Sequence, residues 1–277
     1  MPNINIIEKD LSLAGGLDAS SNVVYVPGFV AYINPTKKPV EFPHLFRTVA
    51  EFTEMFSNKE GKFKYVWVGD ADTTTKPGYK IISVEKGTQY ALTLLSLGLP
   101  VLFDPLNINS SNSIDDDNYA ISETKEGTTY NYSTFEKVVG GTTTNLTDED
   151  LSTLVGNRLK GDTGRIANLT NRNIIEIKFI TSGGYANLNS TGTELFGMTT
   201  AAESRSDCTA LIDHEENSSN VAHGYIGATY TAPSVNSKFG TMFTPWCNFQ
   251  LPSFESFELE GETKVELKAM NMPGSLA

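Results

Sequence analysis

Every long apolar run in this chain is cut by glycine or proline. Val23–Ile33 is broken by Pro27 and Gly28, and Tyr90–Phe103 by Gly98 and Pro100. Neither run reaches the roughly 20 residues needed to cross a bilayer, so stable membrane insertion is not expected. Short runs rich in β-branched and aromatic residues instead suit the strands and helices of a packed core. At 277 residues the chain can bury such a core in one or two domains.

The pattern between the breaks is that of an α/β (mixed α+β) protein. Val23–Val26 reads as a strand stopped by Pro27-Gly28, a pair suited to a type II turn, and Phe29–Ile33 as its continuation. Thr48 and Glu51 have capping-box spacing, and Phe46, Val49, Phe52 and Phe56 recur at helical spacing. Phe63–Val68 reads as a strand, Thr88–Leu97 as a helix stopped by Gly98, and Leu99–Phe103 as a second strand. Strand, helix and strand in that order predict a βαβ unit.

Composition changes at Asn107. From there to Asn173 the chain is crowded with Ser, Thr, Asn, Asp and Gly, including Asp115-Asp116-Asp117. Only Asp148–Leu159 offers a helical stripe, capped by Thr147. An inserted, mostly β, loop-rich subdomain is expected, with a long disordered loop as the alternative. The grammar then returns: Ile174–Ile180 as a buried strand, Thr181-Ser182-Gly183-Gly184 as a turn, and a helix from the Thr191/Glu194 cap to Arg205. Cys208–Ile212, ending at Asp213, and Gly240–Phe243 read as further strands. The expected divisions are residues 1–22 as an N-terminal arm, 23–106 as the first part of the core, 107–172 as the insert and 173–277 as the second part.

Charge and cysteine content narrow the function classes. A net charge of −12 makes the chain a poor binder of phosphate backbone, so no direct nucleic-acid partner is expected. Two cysteines, Cys208 and Cys247, are too few for a disulfide scaffold or an all-thiolate zinc site; they pair with each other or stand as small buried hydrophobes. Met1–Asp10 lacks the basic start and apolar core of a signal peptide.

Ligands of open α/β sheets gather beyond the C-terminal ends of the strands. Asp104, Thr181–Gly184 and Asp213-His214 fall at such ends. A hydrolase would use Ser182 as nucleophile, His214 or His223 as base and Asp213 as the orienting carboxylate. Ser182 lacks the Gly-x-Ser-x-Gly elbow, and adjacent Asp213 and His214 point apart on an extended chain. The carboxylates and imidazoles of Asp213, His214, Glu215, Glu216 and His223 match no metal-ligand spacing, and neither glycine-rich phosphate motif follows a strand. No catalytic, metal or cofactor residues, and no cofactor, are therefore expected.

Five stretches, taken in order, resemble the contractile tail sheath family of bacteriophages, R-type bacteriocins and related injection systems. They are Val24–Val30 with Phe46–Phe52 and Phe56, then Tyr90–Leu102, then Phe179–Tyr185 with Ala201–Asp213, then Phe243–Trp246, and finally Met272–Ala277. Ser206 stands where the family's Arg-Gly-Asp-like step has glycine. The likeness spans roughly residues 20–105 and 173–277 and skips the insert, where sheath proteins vary.

The resemblance implies a sheath-type α/β core in a non-enzymatic structural subunit. Such a subunit forms stacked hexameric rings around a tail tube protein and meets baseplate and tail terminator proteins. It assembles in the bacterial host cytoplasm and resides in the virion tail. Family members continue past the Pro-Gly-Ser-Leu-Ala segment, so the family's C-terminal part is expected to be missing or carried by another chain. Ile4 and Ile6, alternating with Asn3 and Asn5, are the candidate subunit-interface residues of a strand lent to a neighbour. Two other readings remain: a soluble hydrolase-like enzyme using Ser182 and Asp213, and a baseplate or capsid-associated protein of the same fold.

Overall fold

The computed structural model describes residues 22–37, 41–72, 79–160, 164–171, 176–185, 197–213, 237–243, 247–249 and 270–272. Ile4, Ile6, His214, His223 and the Thr191/Glu194 cap lie outside them.

The fold is α/β. Six strands form the central sheet: β1 (Val24–Gly28), β2 (His44–Phe46), β5 (Val101–Pro105), β11 (Phe179–Ile180), β12 (Thr209–Asp213) and β13 (Gly240–Phe243). Their order is β13-β12-β11-β1-β5-β2, parallel throughout except for antiparallel β2. Helix α1 (Val49–Met55) covers the face that Phe103 presents, with Phe52 and Phe56 rings 4.9 and 5.6 Å from the Phe103 ring. A 3₁₀ helix (Arg165–Thr170) lies toward the opposite face, where Arg165 pairs with Asp104. Burial on both faces explains why Val24–Val26 and Val101–Phe103 are continuous apolar stretches rather than alternating ones.

Pro27-Gly28 does not turn the chain, contrary to the sequence expectation; both residues belong to β1, opposite Asp104 and Pro105. The carbonyls of Val23 and Tyr25 accept from Lys178 and Thr181 on the β11 side. Pro27 is next in that series and lies past the paired residues of β11, so its missing N–H costs no ladder bond. Phe29–Ile33 is not a strand either. Its backbone is held by the Asn107 side chain, which accepts from the Val30 N–H at 3.1 Å and donates to the Val30 carbonyl at 2.7 Å.

The expected βαβ unit is also corrected. Phe63–Val68 leads into β3 (Val66–Asp72), which pairs antiparallel with β4 (Tyr79–Val84) as a separate hairpin. Helix α2 (Lys86–Ser96) follows β4 and begins two residues before the expected start, because its cap is Glu85. It ends at Gly98, whose φ of +80° suits glycine, with Gly98 and Leu99 donating to Leu95 and Leu94. In α1, Thr48 Oγ1 accepts from the Glu51 N–H, while the Glu51 carboxylate reaches back to Arg47 rather than to Thr48.

The segment after β5 is an ordered meander rather than a long loop. Strands β6 (Asn112–Asp115), β7 (Ala120–Lys125), β8 (Thr128–Asn131), β9 (Glu136–Val139) and β10 (Thr142–Asn145) pair antiparallel in sequence order. Helix α3 (Asp148–Leu159) follows with the expected bounds and a full Thr147/Asp150 capping box. Meander and central sheet share one hydrophobic core. The Phe29 and Tyr132 rings stack at 5.6 Å, Trp67 and Phe135 at 4.1 Å, and Trp67 Nε1 donates to the Tyr132 carbonyl at 3.2 Å.

Beyond β11, α4 is described over Met198–Arg205, shorter than the helix expected from Thr191, whose earlier residues lie outside the described ones. Strands β14 (Cys247–Phe249) and β15 (Met270–Met272) form a two-stranded pair. Cys208 is buried as a free thiol.

Candidate functional site

Ligands of such sheets gather beyond the C-terminal ends of the parallel strands, and at the end of β1 that place is packed with the chain's own backbone. A Cβ built on Gly87 would meet the Pro27 carbonyl oxygen at 2.2 Å, and one built on Gly183 would meet the same atom at 2.2 Å. Gly183 also has φ +64°. These two glycines let the start of α2 and the Ser182–Tyr185 turn close on β1 from two sides.

Glu85 lies at the same junction, its Oε2 3.2 Å from a Cβ built on Gly28. Its carboxylate accepts from the Gly87 N–H at 3.1 Å, from the Thr88 N–H and from the Tyr185 hydroxyl, a partner 100 residues away in sequence. The first-turn amides of α2, where a helix would hold an anion, are thus occupied by a carboxylate of the same chain. Burial pushes the Glu85 carboxyl above its ordinary range, and its bonds to Tyr185, Thr88 and Gly87 act in the opposite direction. Thr88 Oγ1 donates to the Phe29 carbonyl at 3.0 Å, which ties the helix to the chain leaving β1.

Asp104 is likewise committed. Tyr25 donates its hydroxyl to Asp104 Oδ2 at 2.8 Å, and Arg165 binds Oδ1 while donating to the Pro105 carbonyl at 3.1 Å. Burial, with Asp104 beside it, raises the Tyr25 phenol well above its ordinary value.

The residues of the hydrolase reading are brought only partly together. Ser182 follows β11 and Asp213 ends the neighbouring β12; both are buried, and Ser182 Oγ has no hydrogen-bond partner. His214 and His223 lie outside the described residues. The described histidine, His44, is on β2, three strands from β11. Among the described residues no group of three or more His, Cys, Asp or Glu could hold a metal ion, and no helix is long and apolar enough to cross a membrane.

Sequence reasoning missed Glu85, Gly87 and Tyr185. A carboxylate two residues before a glycine at a strand-to-helix junction is the signal that could have flagged the first two. No family model, curated protein or solved structure matches this chain.

Proposed function

We propose that this chain is a structural subunit of a contractile tail sheath, in a bacteriophage or a related injection device. In this reading it has no catalytic role. Copies stack as rings around a tail tube between baseplate and terminator proteins, after assembly in the host cytoplasm. They then repack into a shorter, wider array that drives the tube through the cell envelope.

The observation that carries the reading is the close backbone packing at the C-terminal end of β1. Where α/β proteins hold small molecules, this chain packs Gly87 and Gly183 against Pro27 and satisfies the helix amides internally with Glu85. A shared core between sheet and meander supports motion as one rigid body, which a switch between two packings requires.

Electron microscopy of the full-length chain mixed with its tube protein tests the proposal. Ordered tubes of two lengths and diameters are expected. Particles that stay globular under every assembly condition would refute it.

A further inference from the structure

The described surface carries a knob and a hole. The knob is Leu97, the most exposed large hydrophobic among the described residues at 68%, at the C-cap of α2 between exposed Ser96 and Gly98. Residues 87–103 include no Asp, Glu, Lys or Arg, so this helix end meets water without a full charge. No basic side chain stands in its last turn to balance the partial negative charge of the helix there. The hole, 840 Å³ in volume, lies between β2 and the 3₁₀ helix. Val23, Leu45 and Leu102 give it apolar walls, and Arg47 stands in its lining with Glu41 and Glu176. Among the described residues the Arg47 guanidinium has no partner; the bond from Arg47 to Glu51 is made by the backbone N–H.

Knob and hole cannot meet within one chain. Leu45 is opposite Leu102 in register, and strand alternation puts both on the 3₁₀-helix face, away from Phe103. Helix α2 starts on the Phe103 face, where a Cβ built on Gly28 would meet both the Phe103 ring and the Glu85 carboxylate. We propose that the chain associates head to tail with a second copy of itself, the Leu97 end of α2 on one copy entering the hole on the next. The apolar knob meets apolar walls, and Arg47 meets the last carbonyls of a helix that lacks a cation of its own. No full charge is brought against Glu41 or Glu176. Burying the Leu97 side chain is worth about ten- to a hundred-fold in affinity. Because the two surfaces differ, the contact is heterologous and repeats from copy to copy as a ring or an open array. It needs only a second copy and does not rest on the sheath reading.

Sedimentation equilibrium of the full chain, from about 10 µM to about 1 mM, tests the contact in the range of weak interfaces. Reversible association that grows with concentration is expected. Leu97→Asp and the uncharged Leu97→Ser should each weaken it at least about ten-fold. The hole variant Arg47→Glu/Asn168→Trp, at two exposed lining positions, should do the same. An equimolar mixture of Leu97→Asp with the hole variant should form a dimer and nothing larger, because one supplies an intact hole and the other an intact knob. A chain monomeric throughout the series, association unchanged in the Leu97 variants, or a mixture that forms no dimer overturns the proposal. Assemblies that form around the tube protein as well with Leu97→Ser as with the unaltered chain would overturn it and leave the sheath reading standing.

Discussion

The central sheet and the meander are built from one chain by opposite means. Strands β1 and β5 bury every residue, whereas β10 exposes all four of its own and β6 alternates between half-buried and exposed. Parallel strands covered on both faces leave no room for error, while an antiparallel sheet with a wet face tolerates polar sequence. Two carboxylates show a further contrast. Glu85 in the core is desolvated with no cation among its bonds, whereas Asp150 at the start of α3 accepts from Lys137 Nζ at 2.6 Å and from the Thr147 N–H at 3.0 Å.

The contrast would break first at the core. Phe103→Ala removes a ring packed on Phe52 and Phe56 and should cost about 3–5 kcal/mol, read from the urea midpoint at constant slope. Gly87→Ala forces a Cβ against backbone, which cannot yield as a side-chain tip would, and should cost about 3 kcal/mol. At the start of α3, Thr147→Ala loses only a cap and should cost about 1 kcal/mol. Val139→Thr, at a position 51% exposed, should stay within about 0.5 kcal/mol.

Titration sharpens the same division with opposite signs. At Glu85 the folded chain holds the proton more tightly than the unfolded chain. Its contribution to stability therefore rises as pH falls from the raised folded value toward the ordinary glutamate value. At Asp150 burial alone would raise the carboxyl, but Lys137 and Thr147 together hold it below the ordinary range. That contribution is present above the ordinary aspartate value and is lost as pH falls through the depressed folded one. Urea unfolding from pH 7 to pH 3 should show the rise disappear in Glu85→Gln and the acid loss disappear in Asp150→Asn. A common pH profile for both variants would contradict the assignment.

Local signals were legible where they were strong. Helix α3 was readable to its end residues because Thr147 caps a clean stripe of Leu151, Leu154, Val155 and Leu159. Strand β13 was bounded as Gly240–Phe243 from its run alone. The meander was not resolved into strands, because threonine, serine and asparagine blur the two-residue alternation. Its tight turns did leave a mark: Glu126-Gly127 and Gly140-Gly141 all have positive φ, as two-residue hairpin turns require. The packing at the end of β1 was beyond sequence reading for a different reason. Pro27, Glu85, Gly183 and Tyr185 meet only through tertiary packing, and Pro27-Gly28 imitates a turn until β5 is laid beside it.

Sedimentation of the full chain with its tube protein, run beside a turnover assay with small esters, tests the central claim most directly. The expected result is large assemblies built from many copies, formed equally by Ser182→Ala, with no ester turnover. A monomer that hydrolyses an ester and loses that activity in Ser182→Ala would contradict it.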